Sequence, residues 1–482
     1  MDSRFAIENY IGGTWRSASS GSVYTRVNPA NLEDRLGPFP ASDAQDIDTA
    51  AKAAAAAFPE WSSRRLADRA ELVYDAADLV KERGEQIAAD MTRETGKPIR
   101  EARSEVFRCV SIFRYYAGEA LRPTGELFQH TGTGGQALVV RRPRGVAGLI
   151  TPWNVPAAIP AWKVAPALVF GNTAVIKLSE DSPAASTGLL RCLLDAGLPP
   201  GVLNIVVGTG PAAGAALVAH DDVDFVSFTG SVAVGRSVRE TATRLGKPTQ
   251  LELGGHNPLI VLADADLDRA TEAAFTGAFL SAGEKCTATR RILVEDSIYA
   301  QFRERFLSRV ASCRVGDPTD PQTEIGPVVN ETQWKKITGA VRSAADSGAR
   351  LLVDGTADAP RAGYYIGPTV FEDPPPANIL SCEEIFGPVT SLYRIHSLEE
   401  GITLANATRF GLSAAIFTSR LDAVDAFVAK VRAGVLHVNS QTPGAEVHVP
   451  FGGLKDSGWG AHEQGRAALD FFTDSVTVYA DH

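Results

Sequence analysis

Cysteine is scarce in this chain. Its 482 residues hold five, Cys109, Cys192, Cys286, Cys313 and Cys382, scattered and without a CxxC pair. That pattern does not suggest a disulfide framework or a cysteine zinc site, and a reducing compartment is its simplest reading. Histidine is nearly as sparse: the eight do not cluster and no HExxH occurs, so no resident metal is expected. Long apolar runs are missing, and none approaches the roughly 18 residues of a membrane helix. The first ten residues carry Asp2, Arg4 and Glu8 where a secretory leader would be apolar. These absences predict a cytoplasmic protein with no membrane span. Basic excess is missing too: 47 Lys and Arg face 57 Asp and Glu, a net charge of −10, which argues against a nucleic-acid surface. No internal repeat or low-complexity tract is present.

What remains is an ordinary soluble-enzyme composition, 44% hydrophobic and 22% charged. The length suggests two or three domains and a core that needs no staples. An Ala-rich stretch at 43–58 opens on a capping Ser-Asp pair. Residues 64–95 have helical spacing through Leu66, Leu72, Val73, Leu79, Val80 and Ile87, with a break expected near Gly84. From 145 the rhythm alternates. Strands are predicted at 145–151, 174–177, 203–207 and 223–228, with helices at 159–169, 182–196, 211–219 and 231–245. This predicts a parallel sheet covered on both faces, binding ligands beyond the carboxyl ends of its strands. A second α/β stretch starts with a strand at 259–262 and a helix at 266–281 and runs to about 440. Residues 122–142 read as an arm, a hairpin, and 470–479 as a further strand. Two such pieces need partners for their edges, and pairing across a subunit interface is one solution.

Two glycine patterns fall just short of nucleotide motifs. Gly208, Gly210 and Gly214 make GxGxxxG, one residue too long, and Gly230 to Ser237 resembles a P-loop with Arg236 where Lys is required. Each follows a strand and opens a helix, so each reads either as a phosphate-binding turn or as a plain tight turn. Cys286 sits in the polar segment Ser-Ala-Gly-Glu-Lys-Cys-Thr. A lone cysteine is by default a small buried hydrophobe. Its alternative reading, an exposed nucleophile with Lys285 favouring the thiolate, depends on its company. Glu252, in Leu-Glu-Leu-Gly-Gly, is a carboxylate in an apolar frame at a strand end, where burial would raise its pKa towards that of a useful base. Asn154, in Thr-Pro-Trp-Asn-Val-Pro, is an amide held between prolines and suited to an oxyanion.

These three segments together resemble the aldehyde dehydrogenase superfamily. Further segments match in order: Phe228-Thr-Gly-Ser231, Glu384-Ile-Phe-Gly-Pro388 and Pro450-Phe-Gly-Gly-Leu-Lys-Asp-Ser-Gly458. The resemblance implies an α/β fold with a Rossmann-type parallel-sheet cofactor domain (1–121 and 143–253, with a return at 446–467), a second α/β catalytic domain (254–445) and a β oligomerisation arm (122–142 and 468–482). It implies Cys286 as the nucleophile that carries a thioester, Asn154 and the Cys286 N–H as oxyanion donors, Glu252 as the base that activates water, and Lys163 and Glu463 as proton-relay positions. For the cofactor it implies Lys177, Ser179 and Glu180 on the adenosine-ribose side, although Leu178 stands where many relatives have Pro. Gly210, Pro211, Gly214, Phe228, Gly230, Ser231 and Val234 line the adenine and pyrophosphate. Ile150, Thr151, Trp153 and Leu253 belong to the same surface, and Glu384 and Phe386 to the nicotinamide-ribose side. A carboxylate at Glu180 favours NAD and repels the 2′-phosphate of NADP; NADP stays as the alternative. A homodimer or homotetramer is expected.

The stretch Val438 to Gly453, with Glu463-Gln-Gly-Arg466, Leu149 to Asn154 and Ile159 to Lys163, is similar to bacterial α-ketoglutaric semialdehyde dehydrogenases. That implies 2,5-dioxopentanoate as substrate, against which an acidic Glu446 near the mouth would work. Other aliphatic or aromatic aldehydes remain alternatives, as do a CoA-acylating enzyme and a non-catalytic paralogue.

Overall fold

The computed structural model describes residues 5–122, 125–132, 135–357 and 362–480. Two mixed sheets dominate it. The first has eight strands in the order Gly458–Trp459, Thr249–Glu252, Phe225–Thr229, Val146–Ile150, Thr173–Leu178, Leu203–Val207, Asn9–Ile11, Thr14–Arg16. Its five central strands are parallel. Alternate side chains leave each strand on opposite faces, and the core divides accordingly. Ala147, Leu149, Ile176 and Ile205 join one apolar cluster, while Val146, Ile150, Val175 and Val206 join the other. Burial on both faces is why these strands read as unbroken apolar runs.

The order also contains a reversal. From Val146–Ile150 the chain steps outward to Thr173–Leu178 and Leu203–Val207, then returns to place Phe225–Thr229 on the other side of Val146–Ile150. At such a switch point the flanking loops part and leave a crevice beyond the carboxyl ends.

The second sheet orders Arg350–Val353, Thr369–Glu372, Val389–Ile395, Thr289–Glu295, Asn257–Val261, Ser413–Phe417 and Val435–Val438, parallel except at Arg350–Val353. Its core divides by the same alternation, with Leu259 and Val261 on one side and Ile260 on the other.

Helix Ala44–Ser63 begins at Asp43, whose carboxylate accepts from Gln45 N while Asp46 closes a capping box. Helix Leu66–Thr95 runs 30 residues without the break expected at Gly84. Gly84 instead marks close packing, since a Cβ there would lie 3.4 Å from Val106 Cγ1 on the next helix, Ile99–Glu119. The arm hairpin forms from Glu126–Gln129 and Gln136–Pro143. Its second partner, Thr473–Ala480, comes from the same chain and not from a neighbouring subunit. The expected arm's residues 123–124, 133–134 and 481–482 lie outside the described residues. Four short N-terminal strands, among them the pair Val23–Asn28 and Asn31–Pro40, were not foreseen. Among the described residues no helix is long and apolar enough to cross a membrane, and no group of three His, Cys, Asp or Glu is placed to hold a metal.

Candidate active site

The nucleophile candidate stands on an unusual turn. After helix Leu267–Phe279 the chain passes through Ser281, Ala282 and Gly283, all with positive φ. For the two non-glycine residues this costs roughly 1–2 kcal/mol each, so neighbours must hold it. Glu101, on helix Ile99–Glu119, accepts from Ser281 N at 2.9 Å and from Ser281 Oγ. Gly283 leaves no room for a side chain, because a Cβ would meet Gly387 O at 2.1 Å. Past the turn, Asn257 Nδ2 donates to Cys286 O at 2.9 Å. The result is a half-buried Cys286 facing a cavity of about 670 Å³.

Glu252 and Asn154 line the same cavity. Glu252 is the last residue of its strand, and Asn154 lies four residues beyond Ile150, so both sit at the carboxyl edge of the first sheet. Asn154 Nδ2 donates to Glu284 O at 2.9 Å, and Asn154 O accepts from Lys97 Nζ at 2.9 Å. Lys97 is ion-paired with Glu105, which also accepts from Ala157 N and Ala158 N at the start of the next helix. The amide is thereby fixed, and one of its two N–H donors stays available.

Burial, first, and then the carboxylates of Glu384 and Glu252 push the Cys286 thiol up to about 12. The resting sulfur is therefore protonated. Lys285 does not lower it: its ammonium points to Glu101, 3.4 Å away, which corrects the expectation drawn from adjacency in sequence. Burial, reinforced by the nearby Glu463, holds the Glu252 carboxyl well above the usual range. Glu252 Oε2 and Glu463 Oε2 are both buried without a hydrogen-bond partner. Lys163 is ion-paired to Glu463 and donates to Ser227 Oγ at 2.7 Å. Glu252, Glu463 and Lys163 thus form one buried cluster of ionisable side chains behind the cavity.

The cofactor candidates lie along the same sheet edge. Thr151 and Thr229 follow or end the two strands at the switch point, and both have a buried Oγ1 with no partner. Lys177 and Glu180 meet at 3.1 Å, and Ser179 Oγ accepts from Asp181 N. Ile150 Cδ1 and Lys177 Cδ approach Gly214, where an added Cβ would lie within 4.0 Å of each, while Gly210 faces open space. Pro211 enters the turn capped by Thr209. A Cβ on Gly230 would strike the Phe228 ring at 2.5 Å, so any other residue here would have to displace that ring. Ser231 caps helix Val232–Arg244, on whose first turn Val234 is exposed. Leu253 packs against Gly235. On the other side of the cleft, Glu384 accepts from Gly255 N at 3.0 Å and its carboxyl is raised to about 7, mainly by burial. The Phe386 and Trp153 rings meet edge to face at 5.6 Å. Open glycines, unpartnered hydroxyls and a carboxylate at a strand end match the needs of a dinucleotide.

The chain belongs to the aldehyde dehydrogenase family, whose model matches residues 15–478. It is an oxidoreductase of the NAD(P)-dependent kind. It is 41% identical to the alpha-ketoglutaric semialdehyde dehydrogenase of Bacillus subtilis (strain 168) over 474 residues, 98% of this chain and 97% of that one. To the 2,5-dioxopentanoate dehydrogenase of Saccharolobus solfataricus it is 39% identical, over 95% of this chain and 96% of the relative. Among solved structures, the NAD-dependent aldehyde dehydrogenase from Sinorhizobium meliloti superposes with a TM-score of 0.96 at 37% identity, covering 99% of this chain and 95% of that chain.

Proposed function

We propose that this enzyme oxidises a carboxylate-bearing semialdehyde, 2,5-dioxopentanoate, to the dicarboxylic acid through a thioester on Cys286, with NAD as the preferred acceptor. The observation that carries the chemistry is the single cavity shared by Cys286, Asn154 and a buried Glu252 whose outer oxygen has no partner. The substrate follows the two semialdehyde-dehydrogenase relatives.

Cys286 gives up its proton to solvent water in the cavity, and the thiolate sulfur bonds to the aldehyde carbon as the C=O π pair moves onto oxygen. The oxygen becomes an alkoxide held by Asn154 Nδ2 and the backbone N–H of Cys286. When the C=O bond reforms, the carbon releases hydrogen with its electron pair, leaving a thioester. A bound nicotinamide supplies the acceptor for that hydride. Glu252 then takes a proton from water as its oxygen attacks the thioester carbon, the C–S bond breaks, and the acid leaves. Glu463 and Lys163 carry the proton onward. Lys177, Glu180, Gly230 and Ser231 would hold the adenosine and pyrophosphate, and Glu384 the second ribose. The first sheet serves the cofactor and the second carries the nucleophile.

NADH formation at 340 nm over an aldehyde panel, with either cofactor and with or without CoA, tests this reading. Turnover of 2,5-dioxopentanoate at least tenfold above neutral aldehydes, independent of CoA, is expected. A strict need for CoA, or indifference to the carboxylate, overturns it. Glu180→Gln should raise the NADP-to-NAD ratio of kcat/KM roughly tenfold, because it removes a charge-assisted acceptor and frees Lys177; an unchanged ratio rejects Glu180 as the discriminator. The exposed Leu127 and Phe128 on the arm's free edge support a homodimer or homotetramer, measurable by light scattering.

A further inference from the structure

Helix Ile99–Glu119 presents Glu101, Glu105 and Arg108 to the cavity, at the four- and seven-residue spacing that puts side chains on one helical face. Three cations line this cavity: Lys97, Lys285 and Arg108. Two are already matched, Lys97 by Glu105 and Lys285 by Glu101. Arg108 is not. Among the described residues no carboxylate lies within ion-pair reach of it, and its recorded hydrogen bond is to a neutral group, Gln464 Oε1 at 3.3 Å. Arg108 Nε is buried with no acceptor. So is Nε2 of the adjoining Gln464, itself 1% exposed, and so is Nε1 of Trp162, which lines the same cavity. Three buried N–H donors without an acceptor, one of them on a guanidinium, call for an anionic oxygen ligand. The fork of a guanidinium fits a carboxylate.

We propose that Arg108, with Gln464 bonded to it and Trp162 lining the same cavity, is the specificity site that receives the substrate's distal carboxylate. This rests on the semialdehyde reading above and names the group that enforces it. Glu446, exposed and lining the same cavity, is the opposing charge. It bears on Arg108 from a distance and weakens the grip, so the two residues act with opposite sign.

The test compares 2,5-dioxopentanoate with pentanal, a five-carbon aldehyde lacking the carboxylate, in the wild type and in Arg108→Met, Arg108→Lys and Glu446→Gln. The ratio of kcat/KM for acid over neutral aldehyde should fall at least tenfold in Arg108→Met, as expected for loss of a charge-assisted hydrogen bond, and the change should sit in KM. Arg108→Lys should recover part of it, and Glu446→Gln should raise the ratio two- to fivefold, the scale of a screened charge. If the wild type prefers pentanal, the substrate reading falls and the Arg108 site falls with it. If the wild type prefers the acid and Arg108→Met leaves the ratio unchanged, only the Arg108 assignment is overturned. Equal loss on both substrates would make Arg108 a packing residue and also overturn it.

Discussion

Replacing Cys286 with alanine is expected to lower NADH formation by roughly 10⁴-fold or more, the scale on which removal of a catalytic nucleophile acts, while cofactor binding persists. The separation follows from the architecture. The sulfur stands on the second-sheet side of the cleft, after the strained Ser281–Ala282 turn. Lys177 lies near the end of a strand of the first sheet, and Glu180 and Gly230 lie just beyond the carboxyl ends of its strands. Removing one sulfur atom disturbs neither, and the Glu101 clamp on Ser281 stays intact. Titration of the variant with NAD, followed by protein fluorescence, should give a Kd within a few fold of the wild type. Retained turnover would reject Cys286 as the nucleophile.

The sulfur's protonation state adds a pH signature. With the thiol at about 12, the thiolate fraction grows about tenfold per pH unit through the neutral range. Single-turnover acylation should therefore accelerate with pH, and a pH-independent rate would contradict the protonated resting state.

Glu252→Gln carries the second large effect. The amide keeps the shape but cannot take a proton, so thioester hydrolysis should slow by roughly 10²–10⁴-fold. Acylation is affected less, and the first turnover should appear as a burst of about one NADH per active site before a slow steady state. The direction with pH is set by burial, which keeps the wild-type carboxyl protonated above the usual carboxylate range. Only its ionised form accepts a proton from water, so steady-state turnover should rise with pH as Glu252 ionises. The Gln variant should lose that rise. A steady-state rate equal to the wild type, with no burst, would remove Glu252 from deacylation.

Local features of the chain were legible before its fold. Periodicity placed the Leu203–Val207 strand at its observed bounds and most others within two residues, because fully buried parallel strands have to be continuously apolar. The Asp43 cap announced its helix. Short motifs pointed to Cys286, Glu252 and Asn154, and the fold brings these to one cavity. What escaped was long-range. Glu101 holds Ser281 from 180 positions away, Lys97 holds Asn154 across 57, and Glu105 holds Ala157 across 52. No local pattern encodes such pairs. Lys285 misled because adjacency in sequence says nothing of side-chain direction, and its partner Glu101 arrives from another helix. Gly84 misled because a glycine that weakens an isolated helix also permits close packing, which Val106 provides. Arg108 has no motif at all; only the missing acceptor around it marks the residue.

The most direct measurement is intact-mass analysis of the Glu252→Gln enzyme, quenched in acid within seconds of mixing with NAD and 2,5-dioxopentanoate, followed by peptide mapping. The expected result is one acyl adduct per subunit, on the peptide containing Cys286, formed only when NAD is present and absent from the Cys286→Ala, Glu252→Gln double variant. An unmodified chain that has nevertheless released a stoichiometric pulse of NADH, or an adduct on another residue, would contradict covalent catalysis at Cys286.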